Sequence, residues 1–160
     1  MNALASCCCE RGDFERAEPL YRQALTLGRG ALGDSHPVTL TAMNNLGNFL
    51  HALALQRGQE HNGDKLADAP GSEAMEEAAS LLRESLERSR RLLGARSLNT
   101  LITGSNFGAC LRSMGKLDEA AVLIREAVEG VAEVAHGREE REPDMEYVHE
   151  GLSALTSVVA

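Results

Sequence analysis

The sequence predicts an all-α protein, a right-handed solenoid of about three helical hairpins followed by a capping helix. One observation is a segment that occurs three times, as FERAEPLYRQAL at 14–25, MEEAASLLRESL at 75–86 and LDEAAVLIREAV at 117–128. Another is the composition, which has no Trp, 3% aromatic residues and no strand-like runs of β-branched residues. A repeated helix that cannot bury its apolar stripe alone must stack on its neighbours.

The spacing defines a 42-residue repeat with one insertion. Ala78 follows Ala17 by 61 residues, whereas Ala120 follows Ala78 by 42. The longer offset recurs independently, because Thr39-Leu40 and Asn45-Leu46-Gly47 return as Thr100-Leu101 and Asn106-Phe107-Gly108. The difference of 19 residues falls in the second copy. We expect a flexible insertion at about 56–72, a mostly polar segment that contains Gly58, Gly63, Pro70 and Gly71.

Each repeat consists of two helices, helix A and helix B, with small residues where they cross. Helix A carries this small residue at Ala5, Gly47 and Gly108. Helix B carries small residues at Ala17, Ala78 and Ala120, with Tyr21, Leu82 and Ile124 filling the space four positions on. The turns between A and B are predicted at Gly12-Asp13 and Gly115-Lys116. Helix B is predicted to stop at Gly33 and Gly94 in left-handed caps, and Pro37 suits the first turn of the next helix.

The repeats are predicted to occupy residues 1–137, and residues 138–160 to form a charged linker and a capping helix. After the charged run at 138–144, apolar residues follow at spacings of 3, 4, 3 and 4, which is typical of one amphipathic helix. They are Met145, Val148, Leu152, Leu155 and Val159. The alternative is a degenerate first helix of a fourth repeat.

Charge and hydropathy exclude two classes of partner. The net charge of −8 argues against nucleic acid, which needs a basic surface. No apolar run approaches the ~18 residues of a membrane span, so membrane insertion is not expected. The N-terminus lacks the pattern of a signal peptide, and a cytoplasmic location is therefore expected.

Candidates for chemistry are few. Consecutive residues on a helix point about 100° apart, so the run Cys7-Cys8-Cys9 cannot hold one tetrahedral metal. Cys110 has no CxxC partner, and the histidines show no ligand spacing. No nucleophile elbow, phosphate loop or paired-acid arrangement is present. We expect no metal, no cofactor and no enzymatic activity.

The small-large-small spacing at Gly108, Leu111, Ala120, Ile124 and Ala127 resembles the tetratricopeptide repeat. The longer period and the segments AEPLYRQAL at 17–25, LGDSHP at 32–37 and NNL at 44–46 resemble the kinesin light chain type. Similar repeats occur in nephrocystin-3-like proteins. The resemblance implies a protein–protein interaction scaffold that binds an extended peptide segment of a partner in its concave groove.

In such arrays helix A lines the concave side. Counting from the core positions places the following residues there: Asn2, Ser6, Cys9, Thr41, Asn44, Asn45, Asn48, His51, Ser105, Asn106, Ala109 and Arg112. The resemblance implies that the Asn before the large core residue, here Asn45 and Asn106, clamps a peptide backbone. The alternative is that these amides bond neighbouring helices or face water. The predicted groove has few basic residues, which disfavours a chaperone C-terminus as the ligand.

A second function of a different class remains open. The chain begins inside its first helix A, so we expect either a fragment of a longer array or a first helix that frays. In the former case the protein is a structural module that packs against other repeats or domains, and self-association through the uncapped N-terminal edge is possible. An arginine cluster on helix B of the second copy is expected to be either a solvated face or a docking patch for an acidic partner. It comprises Arg83, Arg88, Arg90, Arg91 and Arg96.

Overall fold

The helices follow the predicted repeats. The computed structural model describes residues 2–60 and 71–139, and within them it contains six α-helices and no strand. The helices are α1 (Asn2–Glu10), α2 (Phe14–Leu32), α3 (Pro37–Glu60), α4 (Ser72–Leu93), α5 (Leu98–Ser113) and α6 (Leu117–Glu139). Helices α1, α3 and α5 are the predicted A helices, and α2, α4 and α6 are the B helices. The all-α repeat architecture is confirmed.

The chain divides into two units, Met1–Ser85 and Leu86–Ala160, and the division falls inside α4. In the first unit α2 packs against both α1 and α3. In the second unit α5 packs against α6, with a core of Leu101, Ala127 and Val131.

The flanking helices extend into the span 56–72 in which the insertion is expected. Helix α3 continues to Glu60, and α4 begins at Ser72. The residues from Leu55 to Arg57 are good helix formers, which explains why α3 does not stop at residue 55. Gly71 is buried, and a Cβ on it would lie 2.7 Å from the carbonyl oxygen of Ala54. The remaining predicted loop, 61–70, lies outside the described residues.

The end of the third repeat also differs slightly from the prediction. Helix α6 runs to Glu139, so residues 138–139 belong to it and not to a linker. The predicted capping helix at 145–159 lies outside the described residues.

The turns inside the first and third repeats have the same hydrogen bonds. In the first, the amide of Asp13 donates to the carbonyl of Cys8 and that of Gly12 to Cys9. In the third, Lys116 donates to Leu111 and Gly115 to Arg112. These are Schellman motifs, in which the residue after the helix needs a positive φ. Gly12 and Gly115 have φ of 75° and 78°, a backbone angle that glycine adopts without steric cost.

The helix ends at Gly33 and Gly94 are confirmed, although the geometry of Gly33 differs from the expected cap. Gly33 has φ 86° and ψ 164°, which is extended and accessible only to glycine, not a left-handed helical turn. Its amide still donates to the carbonyl of Arg29. Pro37 is the first residue of α3, as predicted.

The predicted close crossings of helix A on helix B are present. A Cβ on Gly47 would lie 2.7 Å from Cγ of Leu82, and one on Gly108 would lie 2.8 Å from Cγ1 of Ile124. Both distances are shorter than real Cβ contacts, so the two helices approach as closely as the absence of a side chain allows. The first repeat has Ala5 at this position, and it is fully buried.

We predict that Gly47→Ala destabilises the protein, because the new methyl group would overlap Leu82. The overlap should cost about 1–3 kcal/mol of unfolding free energy, partly offset by the better helix propensity of alanine. Gly104→Ala is the matched control, since its Cβ would lie 3.7 Å from Leu86, an ordinary contact. Urea denaturation should show a loss for Gly47→Ala and a gain of up to about 1 kcal/mol for Gly104→Ala. Equal shifts in the two variants would contradict the crossing geometry.

Ion pairs connect successive B helices at a repeating position. Arg29 lies 3.5 Å from Glu84, and Arg90 lies 2.6 Å from Glu126. The two arginines are 61 residues apart and the two glutamates 42, which are the offsets of the repeat itself. The same kind of pair therefore links helix B to the next helix B in both units.

The arginine cluster on α4 takes part in this network. Besides Arg90, Arg96 pairs with Glu133 of α6. Arg83 and Arg88 also interact within the chain. Four of the five arginines of the cluster therefore interact with groups of the same chain.

A further ion pair, between Arg22 of α2 and Glu77 of α4, is bidentate. Two guanidinium nitrogens of Arg22 donate to the two carboxylate oxygens of Glu77, at 2.6 and 2.8 Å. Chiefly through this hydrogen bonding, Arg22 holds the pKa of Glu77 below its ordinary 4.5, and Glu77 raises the pKa of Arg22.

We predict that Glu77→Gln lowers stability at neutral pH and not in acid. A carboxyl group with a lowered folded-state pKa stabilises the fold above its unfolded-state pKa, and this contribution is lost as the pH falls through the folded-state pKa. Both side chains are about 40% exposed, so the effect should be about 1 kcal/mol or less. Urea denaturation should show a difference between wild type and Glu77→Gln near neutral pH that shrinks once the pH falls below 4.5. A difference that persists in strong acid would show that the pair is not its source.

Candidate functional site

A cavity of about 450 Å³ lies between helices α1 and α3 in the first unit. We call it the α1–α3 cleft. It is lined by Asn2, Ala3, Ser6, Cys9, Phe14, Tyr21, Asn45, Asn48, Phe49 and Ala52. The two A helices supply most of this lining, and α2, which packs against both, supplies Phe14 and Tyr21.

Several residues predicted for the groove meet at this cleft. Asn2, Ser6 and Cys9 come from α1, and Asn45 and Asn48 come from α3. Asn48 is exposed and Asn45 is half-buried. The side-chain oxygen of Asn2 is buried and has no hydrogen-bond partner among the described residues. Three amide side chains therefore line one cavity.

Aromatic rings form the apolar part of the cleft. Phe49 of α3 lies 5.2 Å from Tyr21 and 6.1 Å from Phe14, measured between ring centroids. These three are among only five aromatic residues in the whole chain. Offset or tilted ring pairs at such distances stabilise each other beyond their buried area.

Sequence reasoning missed this cluster as part of the site. It assigned Tyr21 to the core, which is confirmed by its 8% exposure, but gave no role to Phe49, which lies four positions after Asn45. Residues four apart share one face of a helix. The spacing of four between Asn45 and Phe49 could have identified Phe49 as part of the site, because an aromatic residue on the same helix face as Asn45 belongs to the same surface.

Among the described residues, no charged side chain lines the cleft. Its polar groups are amides, a hydroxyl and a thiol, and the rest is aromatic or small. Such a surface suits an uncharged segment, since a buried charge without an opposite charge would lose hydration without compensation.

The other predicted groove residues lie elsewhere. His51 is 8% exposed and Ser105 is 3% exposed, so the structure does not place either on an open surface. Asn44 is half-buried and does not line the cleft. The reason is that α3 and α5 are buried over more than one face, so the stripe that remains open is narrower than a count from one core face predicts.

In the second unit, Asn106 is half-buried and Arg112 is exposed, and both interact within the chain. A cavity of about 390 Å³ in this unit is lined by residues of α4, α5, α6 and the α4–α5 turn, and it includes none of the predicted groove residues. Arg90 and Glu126 lie on its wall and pair with each other.

Comparison with known proteins identifies the family. The model of the tetratricopeptide repeat matches residues 1–60 and 72–133. The chain belongs to the tetratricopeptide repeat family. The gap between the two matched segments, residues 61–71, falls within the span in which the insertion is expected. No curated protein matches the sequence at a significant level.

Solved structures of tetratricopeptide-like repeats share this fold. Two crystal structures come from a Podosopora anserina protein assigned as a kinesin light chain with nearly identical repeats. One, of a substituted form, has a TM-score of 0.66 and 15% identity over 98% of this chain, which spans 62% of that structure's length. The other has a TM-score of 0.61 and 13% identity over 99% of this chain and 93% of that one. The repeats therefore have the kinesin light chain type of fold.

Tetratricopeptide repeats generally mediate protein–protein interaction, and proteins of this type are typically scaffolds and not enzymes. Within residues 2–60 and 71–139, no three His, Cys, Asp or Glu side chains are grouped so that they could hold a metal ion. None of the helices in this part of the chain is long and apolar enough to cross a membrane.

The four cysteines differ in environment. Cys7 is exposed, Cys8 and Cys9 are half-buried, and Cys110 is fully buried. Burial raises the pKa of the Cys110 thiol to about 11, against a small opposing effect of Lys116.

We predict that alkylation distinguishes the exposed thiol of Cys7 from the buried thiol of Cys110. The thiolate is the reactive form, so an exposed thiol reacts and a buried thiol with a raised pKa does not. Brief treatment with iodoacetamide at mildly alkaline pH, followed by peptide mass spectrometry, should modify Cys7 and leave Cys110 intact. The same treatment in urea should modify both. Labelling of Cys110 in the folded protein at the rate of Cys7 would contradict its burial.

Proposed function

We propose that this protein is an interaction scaffold that binds an extended peptide segment of a partner protein in the α1–α3 cleft. The observation that supports it is the meeting of three amides and three aromatic rings around one cavity. The expected location of such a scaffold is the cytosol.

The amides fit the backbone of an extended peptide. An asparagine side chain both donates and accepts hydrogen bonds, as a peptide group does. Asn45 and Asn48 are three positions apart and therefore lie on the same side of α3, about one turn apart. On α1, the oxygen of Asn2 has no partner among the described residues and can accept a bond from a peptide N–H. A peptide in the cleft would thus find amides on both sides.

The aromatic rings fit one side chain of that peptide. Alternate side chains of an extended segment point in the same direction, so one can enter the cavity while its neighbours face outward. Phe14, which is half-buried, would contact an apolar side chain there, with the core rings of Phe49 and Tyr21, 5% and 8% exposed, packed behind it. The uncharged lining disfavours an acidic or basic residue at this position.

We propose supporting roles for the other residues that were predicted to line the groove. Asn106 and Arg112 on α5 are the candidates for ligand contact in the second unit. None of Asn44, His51 and Ser105 lines the cleft, so we propose that they hold the helices around the ligand and do not touch it directly.

One observation favours a second function, assembly through the N-terminal edge. Leu4 of α1 is 58% exposed, although it corresponds to the buried Leu46 and Phe107 of the later repeats. A further repeat or a second copy could cover it. Sedimentation of wild type and Leu4→Glu tests this function, because an assembly that uses this edge would be weakened by the charge.

The proposed peptide binding is tested with a display library of short random peptides. Peptides selected by wild type should bind the Asn45→Ala/Asn48→Ala variant at least ~10-fold more weakly, about 1.4 kcal/mol, because two backbone contacts are removed. Gln23→Ala is the matched control, since it removes an exposed amide of α2 that does not line the cleft. Asn106→Ala measures the contribution of the second unit separately. Equal binding by the cleft variant and the control would overturn the proposal.

A further inference from the structure

The cavity of about 390 Å³ in the second unit shares no residue with the α1–α3 cleft. We call it the α5 cavity. Helix α5 supplies part of its wall, and the rest comes from α4, α6 and the turn between α4 and α5. Its apolar part is formed by Leu86, Leu101, Leu123 and Ala127.

The α5 cavity is open at a position where α5 has glycine and α3 has methionine. Gly104 follows Met43 by 61 residues, which is the offset between α3 and α5. Met43 is fully buried, so a large side chain fills this position in the first unit. A Cβ added to Gly104 would have its nearest contact at 3.7 Å, with the side chain of Leu86. The second unit therefore has room where the first unit has a methionine side chain.

Another difference at the same place removes a hydrogen bond. In the first unit, the hydroxyl of Ser85 donates to the carbonyl oxygen of Leu40 at 3.0 Å, inside the core. Ala127 stands in place of Ser85 at the 42-residue offset, and Leu101 stands in place of Leu40 at the 61-residue offset. The third repeat therefore lacks both the methionine side chain and the serine hydroxyl that the second repeat buries here.

One polar atom on the wall of the α5 cavity has no partner. Thr100 is 2% exposed, and its hydroxyl oxygen has no hydrogen-bond partner among the described residues. A buried hydroxyl that makes no hydrogen bond costs free energy, and a ligand can offset this cost. The equivalent hydroxyl of Thr39 in α3 is covered by α2, since a Cβ on Gly28 would lie 3.1 Å from it. The hydroxyl of Thr100 belongs instead to a residue that borders a cavity.

The charged residues of the lining indicate which ligand fits. Arg90 pairs with Glu126, and Arg96 pairs with Glu133. Glu129 also lines the α5 cavity and is exposed, and it has no ion-pair partner in the part of the chain that the structure describes. The arginine charges are therefore compensated by neighbouring carboxylates, and the lining charge that is left over is negative.

We propose that the α5 cavity binds a small organic amine with an apolar body. The body would take the place that Met43 has in the first unit, against Leu86 and Leu101. The ammonium group would donate hydrogen bonds to the hydroxyl oxygen of Thr100 and to the carboxylate of Glu129. These two bonds would offset the cost of removing the ammonium group from water.

Titration of the full chain with isoamylamine, followed by two-dimensional amide NMR, tests this proposal. The amine should cause saturable shifts of the amide signals of Thr100 and Gly104. Isovalerate has the same apolar body with a negative charge, and it should bind at least ~10-fold more weakly because Glu129 repels it. Isoamyl alcohol, which is neutral, should bind more weakly than the amine and more tightly than the acid.

Substitutions in the cavity have matched controls elsewhere in the chain. Gly104→Met should abolish binding, because it restores the side chain of the first unit, and it should raise the urea midpoint through better helix propensity. Thr100→Val should weaken binding by ~3–10-fold through loss of one hydrogen bond, whereas Thr39→Val should leave it unchanged. Glu129→Gln should weaken binding and reduce its dependence on salt. Its control is Glu87→Gln, at the equivalent exposed position of α4.

Three results would overturn the proposal. One is the absence of saturable shifts with isoamylamine, and another is unchanged affinity for the amine in a folded Gly104→Met variant. The third is binding of isovalerate or isoamyl alcohol as tightly as the amine, which would mean that charge does not select the ligand. If Gly104→Met does not fold, equal affinities of Thr100→Val and Thr39→Val contradict the site instead.

Discussion

The contact on which the fold depends is the one between a residue without a side chain on helix A and a large apolar residue on helix B. At Gly47 with Leu82, and at Gly108 with Ile124, the helices are as close as packing permits. The short distance between helix A and helix B determines the positions of the remaining faces of both helices. The pairs between B helices recur at equivalent residues, Arg29 with Glu84 and Arg90 with Glu126, because the hairpins that carry them have the same geometry. Exposed ion pairs are weak individually, so they follow this register and do not determine it.

The sequence was sufficient to predict the helices, their pairing and the crossing residues. Each of these depends on local spacing, and the segment that occurs three times has the same spacing of apolar and small residues in every copy. The positions of Gly12, Gly33, Gly94 and Gly115 follow from the same logic, since a turn requires a particular backbone angle at one residue. The ψ of Gly33 could not be read in this way, because several backbone conformations with positive φ allow glycine.

The site was predictable only in part. Counting along a helix identifies a face, and Asn2, Asn45 and Asn48, which this count selected, line one cavity. Their contact with a peptide stays a prediction. The burial of His51 and Ser105 was not predicted, because a helix inside an array is contacted on more than one side and periodicity describes a single stripe. The ring cluster of Phe14, Tyr21 and Phe49 joins residues of two helices, and its formation depends on how α2 sits against α3.

The position of Tyr21 has an optical consequence. The chain has no Trp and only two tyrosines, Tyr21 and Tyr147. Ultraviolet emission of the protein therefore arises from one phenol in the wall of the α1–α3 cleft and one in the segment that follows α6. A tryptophan carried into the cleft by a ligand would accept excitation energy from Tyr21 at short range. Tyr21 is thus an intrinsic energy-transfer donor that would detect a tryptophan-containing ligand in the cleft without any added label.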